Sequence, residues 1–198
     1  MAARINLREY LTGGDRRSLG RSKELLELIQ GRMDLLPQLL HSIWDSDPLV
    51  AMRAADALEK ITRINAKPLQ PFKKELLGLA AETGQQELRW HLALMVPRLK
   101  LGVAEQKRAV AIFMSYLTGK SALVKTFALQ ALFDLSRQNP GSGLDIEEIL
   151  NTAARTGTPA MCARARILLK QLAKESRDKG QVKKSGTDIS VPSDYRVK

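Results

Sequence analysis

The chain is poor in the residues that build reactive or covalently braced sites. Its 198 residues include one cysteine, Cys162, and two histidines, His41 and His91. A single cysteine excludes an intramolecular disulfide framework and a cysteine-rich zinc module, because each needs several thiols. The histidines stand far apart in the sequence, whereas a metal site needs three or four converging ligands. We therefore predict a protein that is not an enzyme, with no catalytic residue, no metal and no cofactor.

β-Branched residues and long apolar runs are also scarce. Isoleucine and valine total 18 residues, against 53 for leucine and alanine. This ratio favours helices over sheets, because β-branched side chains lose more rotamer freedom in a helix. The longest charge-free apolar stretch, residues 109–119, is shorter than the roughly 20 residues that span a bilayer. Residues 1–8 carry no apolar run, so we expect no secretory signal, no membrane partner and a cytoplasmic location.

The charge is basic and is spread over the whole chain. The 32 basic and 21 acidic residues give a net charge of +11. Residues 1–32 carry +3, residues 174–198 carry +3, and the longer segment between them carries +5. Such a distribution raises the general affinity for polyanions without marking one concentrated nucleic-acid site.

Turn residues divide the chain into short predicted helices. Asp47, Ser121, Asp145 and Thr158 each precede an apolar helical pattern, as N-cap residues do. Proline follows Asp47 and Thr158, at the first helical position, where its missing N–H is not needed. Beyond about residue 175 the apolar pattern stops, and serine, glycine, lysine and aspartate dominate. We therefore predict a flexible basic tail over 176–198.

Four segments of the chain share one apolar pattern, at positions i, i+4, i+7, i+8 and i+11. They begin at Val50, Leu88, Val124 and Met161, which are 38, 36 and 37 residues apart. The pattern places these residues on one face of a helix. An upstream helix is predicted to pair with each segment through a short loop, over residues 33–44, 72–81, 104–117 and 145–155. Short loops predict antiparallel hairpins, and the recurrence predicts an array of them.

The first of these units resembles a HEAT repeat. The resemblance rests on LPQLL at 36–40, DPLV at 47–50 and RAADAL at 53–58. It implies an all-α, right-handed α-α superhelix, a first helix kinked by proline, a second helix capped by aspartate, and an arginine on that helix. We expect a solenoid domain over 1–175, followed by the tail. Within the domain we expect a helical cap at 5–30 and four repeats at about 33–64, 68–101, 102–138 and 144–174. Ser121 and Thr158 stand at the Asp47 position, and His91 and Phe127 at the Arg53 position.

In HEAT-like arrays the outward face of each second helix lines a concave groove. Transferring the positions of the first unit to the others gives two stripes along that face. The predicted apolar stripe is Met52, Trp90, Leu94, Phe133 and Ile167. The predicted basic stripe, at the C-terminal ends of the helices, is Arg63, Arg137 and Lys174, with Arg98 and Lys100 beside them. Large apolar groups at solvent positions favour a partner site. The alternatives are packing between repeats for the first stripe and neutralisation of helix C-terminal dipoles for the second.

Two functions of different classes follow from these stripes. The first is a non-catalytic scaffold or adaptor that binds a protein or peptide along the concave face. The second is a nucleic-acid-binding protein of the HEAT-like class, including alkylpurine DNA glycosylases of the AlkD type. The glycosylases place tryptophan, aspartate and basic residues around a damaged base, and Trp90, Asp56 and Arg98 are similar to that set in composition only.

Overall fold

The computed structural model describes residues 5–13, 21–141 and 143–185, and within them the chain is helical without any strand. This confirms the all-α class. The α-helices are α1 (Arg8–Leu11), α2 (Ser22–Gly31), α3 (Leu36–His41), α4 (Pro48–Ile64), α5 (Lys73–Glu82), α6 (Gln86–Met95), α7 (Val103–Leu117), α8 (Ala122–Gln138), α9 (Ile146–Thr156) and α10 (Pro159–Ser185). Turns of 3-10 helix cover Met33–Leu35, Ser42–Trp44, Lys67–Phe72 and Val96–Arg98.

The four predicted N-caps are confirmed. Each side-chain oxygen accepts a hydrogen bond from a backbone N–H two or three residues further on. The distances are 2.9 Å for Asp47 and Asp145 and 3.4 Å for Ser121 and Thr158. These bonds satisfy N–H groups that have no partner within the helix. The caps therefore fix the starts of α4, α8, α9 and α10.

Proline shapes the first helices of the two leading hairpins. The segment predicted as one helix at 33–44 is α3 with a 3-10 turn on either side, and Pro37 lies in the first turn of α3. Pro68 and Pro71 lie in the 3-10 segment that precedes α5. Because proline has no N–H to donate, it fits a helix start and interrupts a continuous α-helix.

The second helices pack side by side in chain order. Helix α4 contacts α6, α6 contacts α8, and α8 contacts α10, while the pairs α3–α4, α5–α6, α7–α8 and α9–α10 form the hairpins. All five positions of the apolar pattern are buried in the first three units. In the fourth unit the first three positions are buried, and the last two, Leu169 and Leu172, are half-buried. Alanines lie where the helices approach, and Ala54, Ala57, Ala128, Ala131 and Ala165 are fully buried.

Polar side chains join neighbouring hairpins among the first three, across a separation of about one repeat. The Tyr116 hydroxyl donates to the Ala80 carbonyl oxygen at 2.6 Å, and the Gln85 amide donates to the Pro48 carbonyl oxygen at 2.9 Å. The Gln138 amide likewise donates to the carbonyl of Pro97. Burial raises the pKa of Tyr116 to about 12, so its hydroxyl keeps the proton that it donates. These bonds fix the register between neighbouring hairpins.

The N-terminal helices α1 and α2 both pack against α4. The buried Arg53 side chain on α4 donates to the carbonyl oxygens of Leu11 at 2.9 Å and Gly13 at 2.6 Å. Gly13 has a φ of +81°, a conformation that side chains disfavour, and this turn presents its carbonyl to Arg53. The arginine expected from the HEAT resemblance thus anchors the segment after α1. Residues 14–20 of the predicted cap lie outside the described residues.

The last helix is longer than the sequence predicts. The helical pattern was expected to end near residue 175, but α10 continues through Ser185. Ser176, Arg177 and Asp178 are exposed, so this extension needs no apolar face. Lysine, arginine and glutamine are good helix formers even where nothing packs on them, which accounts for the difference. The remainder of the predicted tail, residues 186–198, lies outside the described residues.

We predict that Ala128→Leu destabilises the protein by roughly 1–3 kcal/mol, because three further heavy atoms must enter the fully packed contact between second helices. The control is Ala111→Leu in the exposed middle of α7, which should change stability by less than about 0.5 kcal/mol. Urea denaturation of both variants measures the difference. Equal stability of the two variants would show that Ala128 is not at a close contact.

Candidate functional site

The exposed parts of the second helices form the candidate site, which we name the second-helix face. Its residues are Met52, Asp56 and Lys60 on α4, Trp90 and Leu94 on α6, Arg98 in the 3-10 turn that follows α6, Gln130 and Asp134 on α8, and Arg164 and Ile167 on α10. All are half-buried except Ile167, which is 49% exposed. Because the four helices pack in order, these residues follow one another across the structure.

Glu59 links α4 to the 3-10 turn that follows α6, beside the second-helix face. Its carboxylate, only 3% exposed, accepts from Arg63 at 2.7 Å through one oxygen and from Arg98 at 2.7 Å through the other. Arg98 also donates to the backbone carbonyl of Glu59 and to the Thr62 hydroxyl, both at 2.9 Å. A carboxylate removed from water in this way needs such charged donors. Arg98 is therefore committed to holding the C-terminal part of α4.

Trp90 combines the two roles predicted for the apolar stripe, packing between repeats and contact with a partner. Its ring stacks on His91 with ring centroids 3.5 Å apart and on Phe127 of α8 with centroids 5.4 Å apart. The side chain is half-buried and packs against the core. Trp90 thus contributes to packing between neighbouring hairpins and still keeps part of its ring accessible.

His91 lies beneath Trp90 and is buried, with its Nδ1 atom lacking a hydrogen-bond partner. Burial lowers the pKa of His91 to about 3, although the nearby Glu59 carboxylate opposes this shift. The side chain is therefore neutral near pH 7. The His91 imidazole therefore serves in packing, and its protonation at low pH is unfavourable in the folded state.

A second polar cluster joins α8 to α10. The Gln130 amide donates to the Asp134 carboxylate at 2.9 Å, and Arg164 donates to the Gln130 carbonyl oxygen at 3.4 Å. Burial raises the pKa of Asp134, against the hydrogen bond from Gln130 and the charges of Arg137, Arg98 and Arg164. The cluster places a poorly solvated carboxylate among cations at the centre of the second-helix face.

The predicted apolar stripe is present in part. Met52, Trp90 and Leu94 are half-buried and Ile167 is exposed, as a partner surface would need. Phe133 is 1% exposed, so the prediction that it lines an open surface is wrong. Helix α8 packs against α6 on one side and α10 on the other, and these contacts leave only a narrow strip of it uncovered. Arg137 also covers the Phe133 ring, at 5.4 Å from its centroid.

The predicted basic stripe is largely engaged within the protein. Arg63 and Arg98 bind Glu59, and Arg137 pairs with Glu175 of α10 at 2.9 Å. Lys100 is exposed, and its backbone N–H bonds to the Gln70 side chain at 2.9 Å. Lys174 is exposed and makes no ion pair with the described residues. Three of the five side chains are therefore engaged within the protein, Arg63 within α4 and Arg98 and Arg137 between different helical elements.

The sequence did not indicate one further surface, a groove on the side of the first helices between the last two hairpins. Its volume is about 530 Å³, and it lies among Met114 and Leu117 of α7, Ile149 and Ala153 of α9, and Met161 of α10. The outward positions of the first helices share no pattern between units, so the repeat gave no signal for it.

The residues that resemble the glycosylase set each have a partner of their own. Asp56 accepts from Lys60 at 2.6 Å, Arg98 binds Glu59, and Trp90 stacks on Phe127.

Among the described residues, no three histidine, cysteine, aspartate or glutamate side chains gather as a metal site. None of the helices in the described part of the chain combines the length and hydrophobicity needed to cross a membrane.

We predict that His91 makes the folded state acid-sensitive. Its folded pKa of about 3 lies below the ordinary value of 6.5, so the unfolded chain binds a proton that the folded chain does not. Its contribution to stability is complete above pH 6.5 and falls by about 1.4 kcal/mol per pH unit below it, towards pH 3. Urea denaturation of His91→Leu between pH 7 and pH 4 should lack this component. The exposed His41→Leu is the control, and a shared pH profile of wild type and His91→Leu would contradict the assignment.

We predict that Trp90→Ala lowers the free energy of unfolding by about 2 kcal/mol, less than the 3–5 kcal/mol of a fully buried aromatic. The variant loses the stack on Phe127 but not a complete core contact. Trp44→Ala is the matched control, since Trp44 is 45% exposed and should cost less than about 1 kcal/mol. A loss at Trp90 no larger than at Trp44 would show that the stack contributes nothing.

Comparison with known proteins assigns no family to the chain. No family model matches it, no curated protein matches it, and no solved structure matches it.

Proposed function

We propose that the protein is a non-catalytic scaffold of the HEAT-repeat type, a right-handed solenoid of four hairpins with an N-terminal helical cap. The ordered contacts α4–α6–α8–α10 support an array, since each second helix touches the next one along the chain. The hydrogen bonds of Tyr116 and Gln85 also support it, because each spans one repeat, 36 and 37 residues. Arrays of this kind present long surfaces for binding.

The proposed activity is the binding of a protein segment along the second-helix face. One observation carries the proposal: α6 packs between α4 and α8, yet Trp90 and Leu94 keep part of their apolar surface open. Met52 on α4 adds a third half-buried apolar group at the corresponding position. Aromatic and large aliphatic groups in a partly enclosed setting are the usual anchors of protein interfaces.

The charges around these anchors favour a segment that combines apolar and acidic residues. Arg63 is 66% exposed and Arg137 is 52% exposed, although each already has one acidic partner within the protein. Both lie in the last turns of their helices, at the C-terminal ends of α4 and α8. An acidic residue of the partner would gain from these arginines, and an apolar residue would cover Trp90 and Leu94.

Selection from a library of random peptides tests this proposal. Peptides selected on the wild type should be rich in apolar and acidic residues and should lose at least about tenfold in affinity on Leu94→Ser, which removes one anchor. Val103→Ser is the matched control, since Val103 is 66% exposed at the start of α7, outside the second-helix face. Fluorescence anisotropy with a labelled peptide measures both. Equal binding to the two variants, with both folded by circular dichroism, would refute the proposed site.

A further inference from the structure

The last helix carries more than half of the net charge of the chain. Helix α10, Pro159–Ser185, contains eight basic and two acidic residues, against a net charge of +11 for the whole chain. A boundary at residue 174 cuts through this helix and divides its basic residues between two segments of the chain. The helix boundary shows that the basic residues belong to one continuous element.

Four of these basic residues share one face of α10. Arg166, Lys170, Lys174 and Arg177 are exposed and follow one another at spacings of four, four and three residues. At 3.6 residues per turn, this spacing confines them to an arc of about 80° around the helix axis, over a length of about 16 Å. We name this surface the α10 basic face.

The four cations are not neutralised within the described part of the protein. No ion pair or side-chain hydrogen bond joins any of them to a described residue. Of the two acidic residues of α10, Glu175 pairs with Arg137 and Asp178 lines a cleft with Arg137 and Gln138. Like charges four residues apart on a helix repel one another, which lowers helix stability unless an anion is bound. The α10 basic face therefore favours an external polyanion.

The rest of the helix decides which polyanion fits. The opposite face of α10 is used for packing, since Met161, Ala165 and Leu168 are buried. A helix that lies in a membrane surface needs a free apolar face, whereas Ile167, beside the α10 basic face, is the one exposed large apolar residue among the described side chains of α10. No aromatic side chain lies between Pro159 and Asp178, whereas proteins that bind single strands stack bases on aromatic rings. A rigid row of point charges without a stacking platform suits the backbone of a duplex.

We propose that the α10 basic face binds the phosphate backbone of duplex nucleic acid without reading its sequence. The face is about as long as five phosphates along one strand, which are spaced about 3.4 Å apart along the axis. Arg166, Lys170, Lys174 and Arg177 each supply one cation. Binding of this kind is controlled by the release of counterions from the duplex, so it weakens steeply as salt is added. This activity is separate from peptide binding, whose main anchors lie on α4 and α6.

Fluorescence anisotropy with a labelled mixed-sequence DNA duplex of about 20 base pairs, at 50–200 mM salt, tests the proposal. The test variant carries Arg166→Gln, Lys170→Gln, Lys174→Gln and Arg177→Gln together. The matched control carries Lys67→Gln, Lys107→Gln, Arg108→Gln and Lys120→Gln, four exposed residues outside α10 that lower the net charge equally. Thermal denaturation of each variant shows that it is folded.

The wild type should bind with a dissociation constant between about 1 and 100 µM at physiological salt. The test variant should bind at least tenfold more weakly at low salt, and the slope of log affinity against log salt should fall by about three to four. The control should stay within about threefold of the wild type. Equal losses in both variants would overturn the proposal, since net charge alone would then account for binding. Tighter binding to a single strand, to polyglutamate or to phosphatidylserine vesicles than to the duplex would also overturn it.

Discussion

A single helical hairpin of this chain cannot cover the apolar face of its own second helix, and the structure depends on that constraint. Helices α4, α6, α8 and α10 each present buried residues to neighbours from another hairpin. Alanine at the contacts, for example Ala54, Ala128 and Ala165, allows the helices to approach closely. Burial of apolar area is thus shared between hairpins, and the stability of each depends on the next.

The same arrangement explains where polar groups are found. Packing in a row buries groups on the flanks of each second helix, so these groups need partners from a neighbouring helix. Glu59 forms ion pairs with two arginines, one of which follows α6 in the chain. The charges of three arginines act on Asp134. These ties hold the second-helix face in place. They also engage Arg63, Arg98 and Arg137 within the protein, whereas no ion pair joins the four cations of the α10 basic face to a described residue.

Much of the local structure could be predicted from the sequence, because it depends on short-range rules. The caps at Asp47 and Ser121 and the buried register beginning at Val50 follow from capping and helical periodicity. The burial of Phe133 and Glu59 could not be predicted, since it depends on which neighbours flank a helix. The extension of α10 to Ser185 was missed because it needs propensity and no apolar pattern. The charge cluster on α10 became visible only once that boundary was known.

Native-state hydrogen exchange of the intact chain tests most directly the claim that hairpins are stabilised by their neighbours. An array predicts graded opening free energies, highest for amides of α6 and α8, which have second helices on both sides, and lower for α2, α9 and the end of α10. One common value for all of these helices would mean that a single cooperative core holds the protein together, and it would contradict the account.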